Sequence, residues 1–375
     1  LTWRRAADYR EAVRLTGPLL SRRAVLAAGA SLLPAAAAFD KRNVIVYREP
    51  ARYGGWPANH GVWAWGAEVV VGFTGAWYKP VEGGHAIDRD KPSQSWQARS
   101  LDSGDSWKVE KSALPPESAK PAPLREPLDF TARDFALRFA LGNIQVGPSW
   151  FYVSTDRCRS WSGPYAFAVE GIGEIATRTD YLVLGKRECV MFGSAAKANH
   201  REGRVFCART TDGGLTWKLL SLIGPEPEGF MIMPSTARLS ASRWLTTIRH
   251  KDPDKQGSID AYLTEDAGRT WRSLGEAAPA IGGGNPPALL KLRDGRLALT
   301  YGYRARPWGV RARLSADQGQ SWSSEIVLRD DALNGDLGYP RAIERPDGRV
   351  LSIYYFNGPK DEDRTIQATI WRPPS

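Results

Sequence analysis

A chain of 375 residues is long enough for a large core, held either in one all-β or α/β-barrel domain or in two ordinary domains. Its 42% hydrophobic and 25% charged residues are those of a globular protein, while 37 Gly, 26 Pro and 15 Trp point to many turns and aromatic packing sites, and so to β structure. The net charge of +10 includes +4 from residues 1–38, leaving a surplus of +6 with no long basic run; this argues against a nucleic-acid partner and is compatible with a glycan or small acidic substrate.

The N-terminal stretch "SRRAVLAAGASLLPAAAA" (21–38) sets Arg22 and Arg23 before a short apolar run that ends in small residues. Ala36-x-Ala38 suits a signal peptidase, so residues 1–38 read as a twin-arginine-type signal peptide, Phe39 as the start of the mature chain, and the location as periplasmic or secreted. The run is too short and too interrupted by Gly and Ser to span a bilayer, and no membrane span is expected in the mature chain.

Further along, "NVIVYRE" (43–49) has the composition of a strand. A frame of hydroxyl, x, Asp, x, Gly, x, hydroxyl, Trp then recurs: "SLDSGDSW" (100–107), "STDRCRSW" (154–161), "TTDGGLTW" (210–217), "TEDAGRTW" (264–271) and "SADQGQSW" (315–322). Successive Trp residues are 54, 56, 54 and 51 positions apart, a near-constant period that marks a repeat architecture. In each copy the Asp accepts backbone amides of its own turn, the Gly supplies a positive φ, and the Trp provides a large plate to bury between sheets. Cys158 stands where the second copy needs its Gly.

Asp-Gly turns in "LRDGRLALTYGYR" (292–304) and "RPDGRVLSIYYF" (345–356) mark hairpins in phase with the frame. One unit therefore reads as four antiparallel strands in about fifty residues, a propeller blade, and residues 39–375 accommodate six. The sixth unit, from about 335, is one strand short, so residues 43–49 are expected to complete it and close the ring. The second unit, about 113–165, is irregular behind its Pro-rich lead-in "ALPPESAKPAPLREP".

Cys158, Cys189 and Cys207 form no CxxC pair; Cys189 and Cys207 are read either as partners on adjoining strands or as buried free thiols. His60, His85, His200 and His250 lack metal-ligand spacing, and no metal or cofactor is expected.

The repeated frames resemble the Asp-boxes of the sialidase (neuraminidase) superfamily over essentially all of residues 39–375. The resemblance implies an all-β, six-bladed propeller whose pocket lies on the face opposite the boxes, where the innermost strands start and the second and third strands join. Segments near Trp56, Asp134, Arg178, Met233, Asn285 and Tyr339, and loops holding Asp88, Arg249, Arg304 and Asn357, become the candidates. Sialidases hold the substrate carboxylate with three arginines, attack with a Tyr activated by a Glu, and use an Asp as acid/base; a Tyr nucleophile avoids presenting a carboxylate to an anionic sugar.

In "MPSTARLSASRWLTTIR" (233–249), Arg249 falls on a family arginine and Met233 on the Glu position. Arg304 falls on a second arginine, Tyr339 on the nucleophile, and Asp88, with Asp90 as the alternative, on the acid/base. The first arginine is absent, its signature falling on Gly55-Trp56-Pro57. Glu226, Glu228, Arg341, Arg178 and Arg138 are the available substitutes, and Arg178/Asp180 and Asp134/Arg138 read equally as salt bridges between blades. Trp56, Trp77, Tyr78 and Trp308 either stack on sugars or pack loops. The implied activity is hydrolysis of a terminal, acidic sugar, at its narrowest an exo-α-sialidase; the rivals are a non-catalytic carbohydrate-binding or interaction propeller and a polysaccharide lyase.

Overall fold

The structure, a computed structural model, describes residues 39–375 apart from 112, 113, 116–118, 143, 144, 360 and 375. The signal peptide expected over residues 1–38 lies outside the described residues. Among the described residues, the regular elements apart from one four-residue helical turn, Pro57–His60, are strands, as the Gly, Pro and Trp content predicts. They form an all-β propeller. Strands such as Glu68–Trp77, "EVVVGFTGAW", are buried along nearly their whole length because each sheet packs on a neighbour through both faces.

The sheets contain nine, five, four, four and three strands. Four-stranded meanders cover Phe230–Ala278 and Pro287–Arg329. The nine-stranded sheet is two antiparallel ladders joined only by the parallel bridge between Tyr53 and Arg364. One of them takes Lys41–Tyr47 as its outer strand on Asp361–Trp371, so the early segment does supply the strand that the last unit lacks.

Among the described residues, the region around the second box has three strands, Ala136–Leu141, Ser149–Ser154 and Ser162–Phe167, instead of the expected four. Pro121, Pro123 and Pro127 bring no amide to a ladder, and Ala122 makes only an isolated parallel bridge to Tyr165. This moves Asp134 away from the mouth: its carboxylate pairs with Arg157 Nε of the second box at 2.6 Å, and the expected bridge to Arg138 is not formed. Arg138 instead lies buried against His60.

All five boxes close with one hydrogen-bond pattern. In the fourth, Thr264 Oγ1 donates to Asp266 Oδ1 at 2.8 Å and accepts the Gly268 amide at 2.9 Å. Asp266 Oδ1 also accepts the Thr270 amide at 2.9 Å, and Oδ2 the Thr270 hydroxyl at 2.6 Å. Ser100/Asp102, Ser154/Asp156, Thr210/Asp212 and Ser315/Asp317 repeat it. Cys158 substitutes for Gly by adopting φ 61 and still donates its amide to Ser154 at 2.8 Å.

The Gly requirement is also one of space. A Cβ on Gly319 would lie 2.6 Å from Leu245, and one on Gly104 2.6 Å from Leu351, each in the neighbouring sheet. The box Trp residues reach the same way: Trp217 packs on Phe139 and Phe167, and Trp271 Nε1 donates to Ser221 Oγ at 3.0 Å.

The register between Glu188–Ala196 and Glu202–Thr210 sets Cys189 opposite Thr210 and Cys207 opposite Phe192. The two thiols therefore do not face each other, and all three cysteines are free and buried.

Candidate functional site

Opposite the boxes, the innermost strands begin with a break in regular pairing. In Phe230–Arg238 the register to the next strand jumps between Ile232 and Pro234, and Met233 takes φ 57. In Gly338–Glu344 it jumps between Gly338 and Arg341, and Tyr339 takes φ 50. Trp56, before the first inner turn, has φ 56. A non-glycine residue in the left-handed region costs of order 1–3 kcal/mol and persists where surroundings hold it. Asn285 does so for Tyr339: its Oδ1 accepts the Tyr339 amide at 2.8 Å and its Nδ2 donates to Leu337 O at 2.9 Å. Asn285 is thus a buttress and not a pocket residue. Asn357 likewise braces residues 333–336, accepting the Leu333 amide at 2.8 Å and donating to Asp336 O at 2.8 Å.

These bulged residues surround a cleft with two lobes that share His85 and Arg249. One lobe, about 460 Å³, brings together Trp56, Arg178, Glu202, Met233, Arg249 and Tyr339. The other, about 490 Å³, is lined by Lys251, Arg304, Asp336 and Arg364 among others. The first falls within the range of small-molecule sites, about 300–1,000 Å³, and has the apolar lining with a few aimed polar groups that such sites show.

Tyr339 is buried, and its hydroxyl accepts from Arg249 Nη1 at 3.2 Å. Burial by itself would raise the phenol pKa, but Arg249, Arg304 and Arg178 outweigh it and bring the phenol below its ordinary value. Among the described residues no carboxylate hydrogen-bonds the phenol; Met233 occupies the wall where the resemblance expects the Glu. Arg249 Nε is buried with no hydrogen-bond partner among the described residues. Burial, Arg304 and Arg178 lower the pKa of the Arg249 guanidinium. Lys251, in the second lobe, makes no ion pair with the described residues, and burial with Arg249 and Arg304 lowers its pKa. The cleft therefore presents unpaired positive charge to whatever enters it.

Four expected residues, Trp56, Arg178, Arg249 and Tyr339, meet in the first lobe. Arg178 does not pair with Asp180; it forms a two-pronged bridge to Glu202, at 2.5 and 3.2 Å. Asp180 accepts the Thr236 hydroxyl at 2.9 Å, and burial raises its pKa to about 7.

The others fall differently. Arg304 lines the second lobe, but its nitrogens donate to Gly284 O, to Leu337 O and to Tyr355 Oη, so it supplies charge more than a free fork. Arg341 donates to Ala58 O and Thr179 O and lines a smaller cavity deeper in the ring with Asp180, so it ties distant segments together and does not reach the Tyr339 lobe.

Asp88 is turned away. His85, Ile87 and Arg89 line the cleft, and in extended backbone the intervening residue points to the other side, where Asp88 lies 3.5 Å from Lys79 and 3.7 Å from Lys91. Asp90 pairs with Lys79 at 2.8 Å. Glu226 faces Arg204 at 3.5 Å, and neither it nor Glu228 lines either lobe. Trp77, Tyr78 and Trp308 pack under Arg52, Arg364 and Arg306 respectively.

Sequence reasoning missed His85, Glu202, Lys251 and Asp336. His85 was within reach of it, since it shares with Asp88 the loop between second and third strands. The remaining three carry no local motif and are recognisable only by where the sheets place them.

Among the described residues no group of three or more His, Cys, Asp or Glu side chains is placed to hold a metal ion, and no helix is long and apolar enough to cross a membrane.

The sequence profile of the BNR repeat-like domain matches residues 96–351. No curated protein sequence matches the chain. Among solved structures, a protein of unknown function from Dyadobacter fermentans is similar with TM-score 0.68 and 23% identity over 89% of this chain and 99% of that one. The NanB sialidase of Streptococcus pneumoniae is similar with TM-score 0.60 and 10% identity, over 91% and 71%. The α-L-arabinofuranosidase Arb93A of Fusarium graminearum gives 0.56 and 12%, over 86% and 97%. At these identities the likeness is one of fold.

Proposed function

The chain belongs to the BNR repeat-like family, and on that footing we propose that it is an exported glycoside hydrolase acting on a terminal, acidic sugar of a glycan, in a ring of six blades. The observation that carries this is the Tyr339 hydroxyl hydrogen-bonded to Arg249, whose buried Nε is otherwise unpartnered, in a cleft of small-molecule size. A buried donor left unpaired costs about 1–3 kcal/mol, which a carboxylate would recover as charge-assisted bonds. Tyr339 attacks the anomeric carbon, Arg249 grips the anionic substituent with Lys251 and Arg304 adding field, and Trp56 offers a face for the ring. Sialidase and arabinofuranosidase activities belong to structural neighbours and indicate sugars as the ligand class.

The test is a panel of fluorogenic glycosides carrying N-acetylneuraminate, glucuronate, arabinofuranose and neutral hexoses, assayed with the wild type and Tyr339→Phe. Turnover confined to acidic sugars, falling at least ~10²-fold in the variant, is the expected outcome. Absence of turnover on every glycoside overturns hydrolysis.

A second reading, a glycan-binding propeller without turnover, draws on Met233 in place of a Glu and on Asp88 facing away from the cleft. It predicts saturable binding of acidic sugars with no product.

A further inference from the structure

The cleft has a nucleophile candidate and unpaired cations, but no carboxylate free to move protons. Glu202 is locked in its two-pronged bridge to Arg178. Asp336 is fully engaged: it accepts His85 Nδ1 at 2.7 Å, Tyr355 Oη at 2.7 Å, Arg364 Nε at 2.7 Å and the Ala86 amide at 2.9 Å. Those donors hold it ionised against the effect of burial, its pKa lying well below the ordinary carboxylate value.

Trp56 Nε1 at 3.4 Å and Tyr355 Oη at 3.2 Å also approach His85 Nδ1, but the shortest contact, 2.7 Å, is to Asp336, and an ionised carboxylate only accepts; this assigns the hydrogen of neutral His85 to Nδ1 and leaves the lone pair on Nε2. The imidazole lines both lobes and stands edge-on to Tyr339, with ring centroids 5.9 Å apart. Tyr355 at 6.1 Å and Trp56 at 5.0 Å confine it on other sides. A histidine oriented by a buried carboxylate and set beside a nucleophile suits general-base catalysis; His85 and Tyr339 share no direct hydrogen bond here, so a proton relay between them needs one water.

We propose that His85, aligned by Asp336, is the proton carrier of the Tyr339 site and does the work for which the engaged carboxylates Glu202 and Asp336 are not free. This rests on the hydrolase reading above. In the first half of the reaction Tyr339 Oη bonds to the anomeric carbon while the glycosidic C–O bond breaks. The phenolic proton passes through the relaying water to His85 Nε2, and the imidazolium delivers it to the departing alkoxide, which leaves as the free alcohol. In the second half His85 Nε2 takes a proton from water as the water oxygen bonds to the anomeric carbon. The tyrosyl C–O bond breaks with its electron pair returning to Oη, and the phenolate recovers the proton from the imidazolium by the same relay. One water is consumed, and both side chains end as they began.

The groups facing His85 are Asp336, Tyr355, Tyr339, Trp56, Arg304 and Arg249. Burial and the two arginines lower its pKa below 6.5, against the opposing pull of Asp336. The neutral form is therefore present at neutral pH, and kcat/KM falls on acidification only below pH 6.5. An alkaline limb follows the ionisation of Tyr339.

The experiment compares wild type, His85→Gln and His85→Ala on the acidic glycoside that the panel identifies. Expected are a fall in kcat/KM of ~10²–10⁴-fold in both, loss of the acid limb in His85→Gln, and partial rescue of His85→Ala by added imidazole. Unchanged turnover in a folded His85→Gln protein, or an unaltered acid limb, overturns the proposal. Should the wild type turn over nothing, the hydrolase reading fails by itself, and the nitrogen-15 spectrum of His85 decides the dyad. The Nδ1-protonated tautomer, with an Nε2 resonance that moves on titration with N-acetylneuraminic acid, supports it. An Nε2-protonated ring, or one blind to the sugar, overturns it.

Discussion

The two faces of the propeller obey opposite rules. On the box face the same hydroxyl, Asp and amide contacts are made five times within each turn, and the aspartates are held ionised. For Asp266, burial works against ionisation, but the Thr270 hydroxyl and amide and the Thr264 hydroxyl bring its pKa down to about 2. At the mouth the side chains follow no common frame. Left-handed non-glycine residues occur on both faces, Ser103, Cys158, Ala267 and Gln318 in the boxes and Trp56, Met233 and Tyr339 at the mouth. What sets the mouth apart is that Arg249 and Lys251 stand without an ion pair among the described residues, beside a phenol held near arginines. One face is built for stability and the other leaves charge unpaired for a ligand, the trade-off expected where function uses unsatisfied groups.

That contrast is sharpened most strongly by Arg249→Gln. Loss of a charge-assisted grip worth about 1.5–3 kcal/mol lowers kcat/KM on the acidic substrate roughly 10- to 100-fold. Because a poorly paired buried charge has been removed, thermal unfolding should occur at the same or a higher temperature than in the wild type. A clear drop in melting temperature would mean that Arg249 is part of the scaffold and that the two faces do not differ in this way.

The converse change is Gly319→Ala on the box face. With φ 89 and a Cβ 2.6 Å from Leu245, the alanine is both strained and overpacked. A loss of about 1–3 kcal/mol of stability is expected by denaturant unfolding, with the activity of the folded fraction intact. Lost activity at full folding would show that the corners communicate with the mouth.

The smallest effect lies in pH. Asp102 and Asp266 are each lowered to about 2 from an ordinary 3.8, so they bind fewer protons folded than unfolded. Their contribution is complete above the ordinary value and is lost as pH falls through 2. The urea midpoint of the wild type should decline between about pH 4 and pH 2, and Asp266→Asn should start lower and decline less. A midpoint independent of pH there would contradict the hydrogen-bond account of the corner.

The amino-acid sequence by itself determined the repeated part. Each box folds through contacts within seven residues, so its Asp, Gly and hydroxyls declare themselves locally, as do the Asp-Gly hairpins and the early strand that completes the last sheet. Strand counting from the boxes also placed the segments of Tyr339, Arg249, Arg178 and Trp56 at the mouth, while the roles of Tyr339 and Arg249 came from the family resemblance.

Only the tertiary structure decided which neighbours converge. Alternation along extended backbone turned His85 inward and Asp88 outward, although both stand in one short loop. The three-stranded second sheet sent Asp134 to the box end, and Arg304 and Arg341 were claimed by backbone carbonyls. His85 and Asp336 meet across 251 positions of chain. Contacts of that range depend on how sheets are set around the ring, and a hydrogen-bonding group is assigned by whatever stands opposite it in space, which no local pattern records.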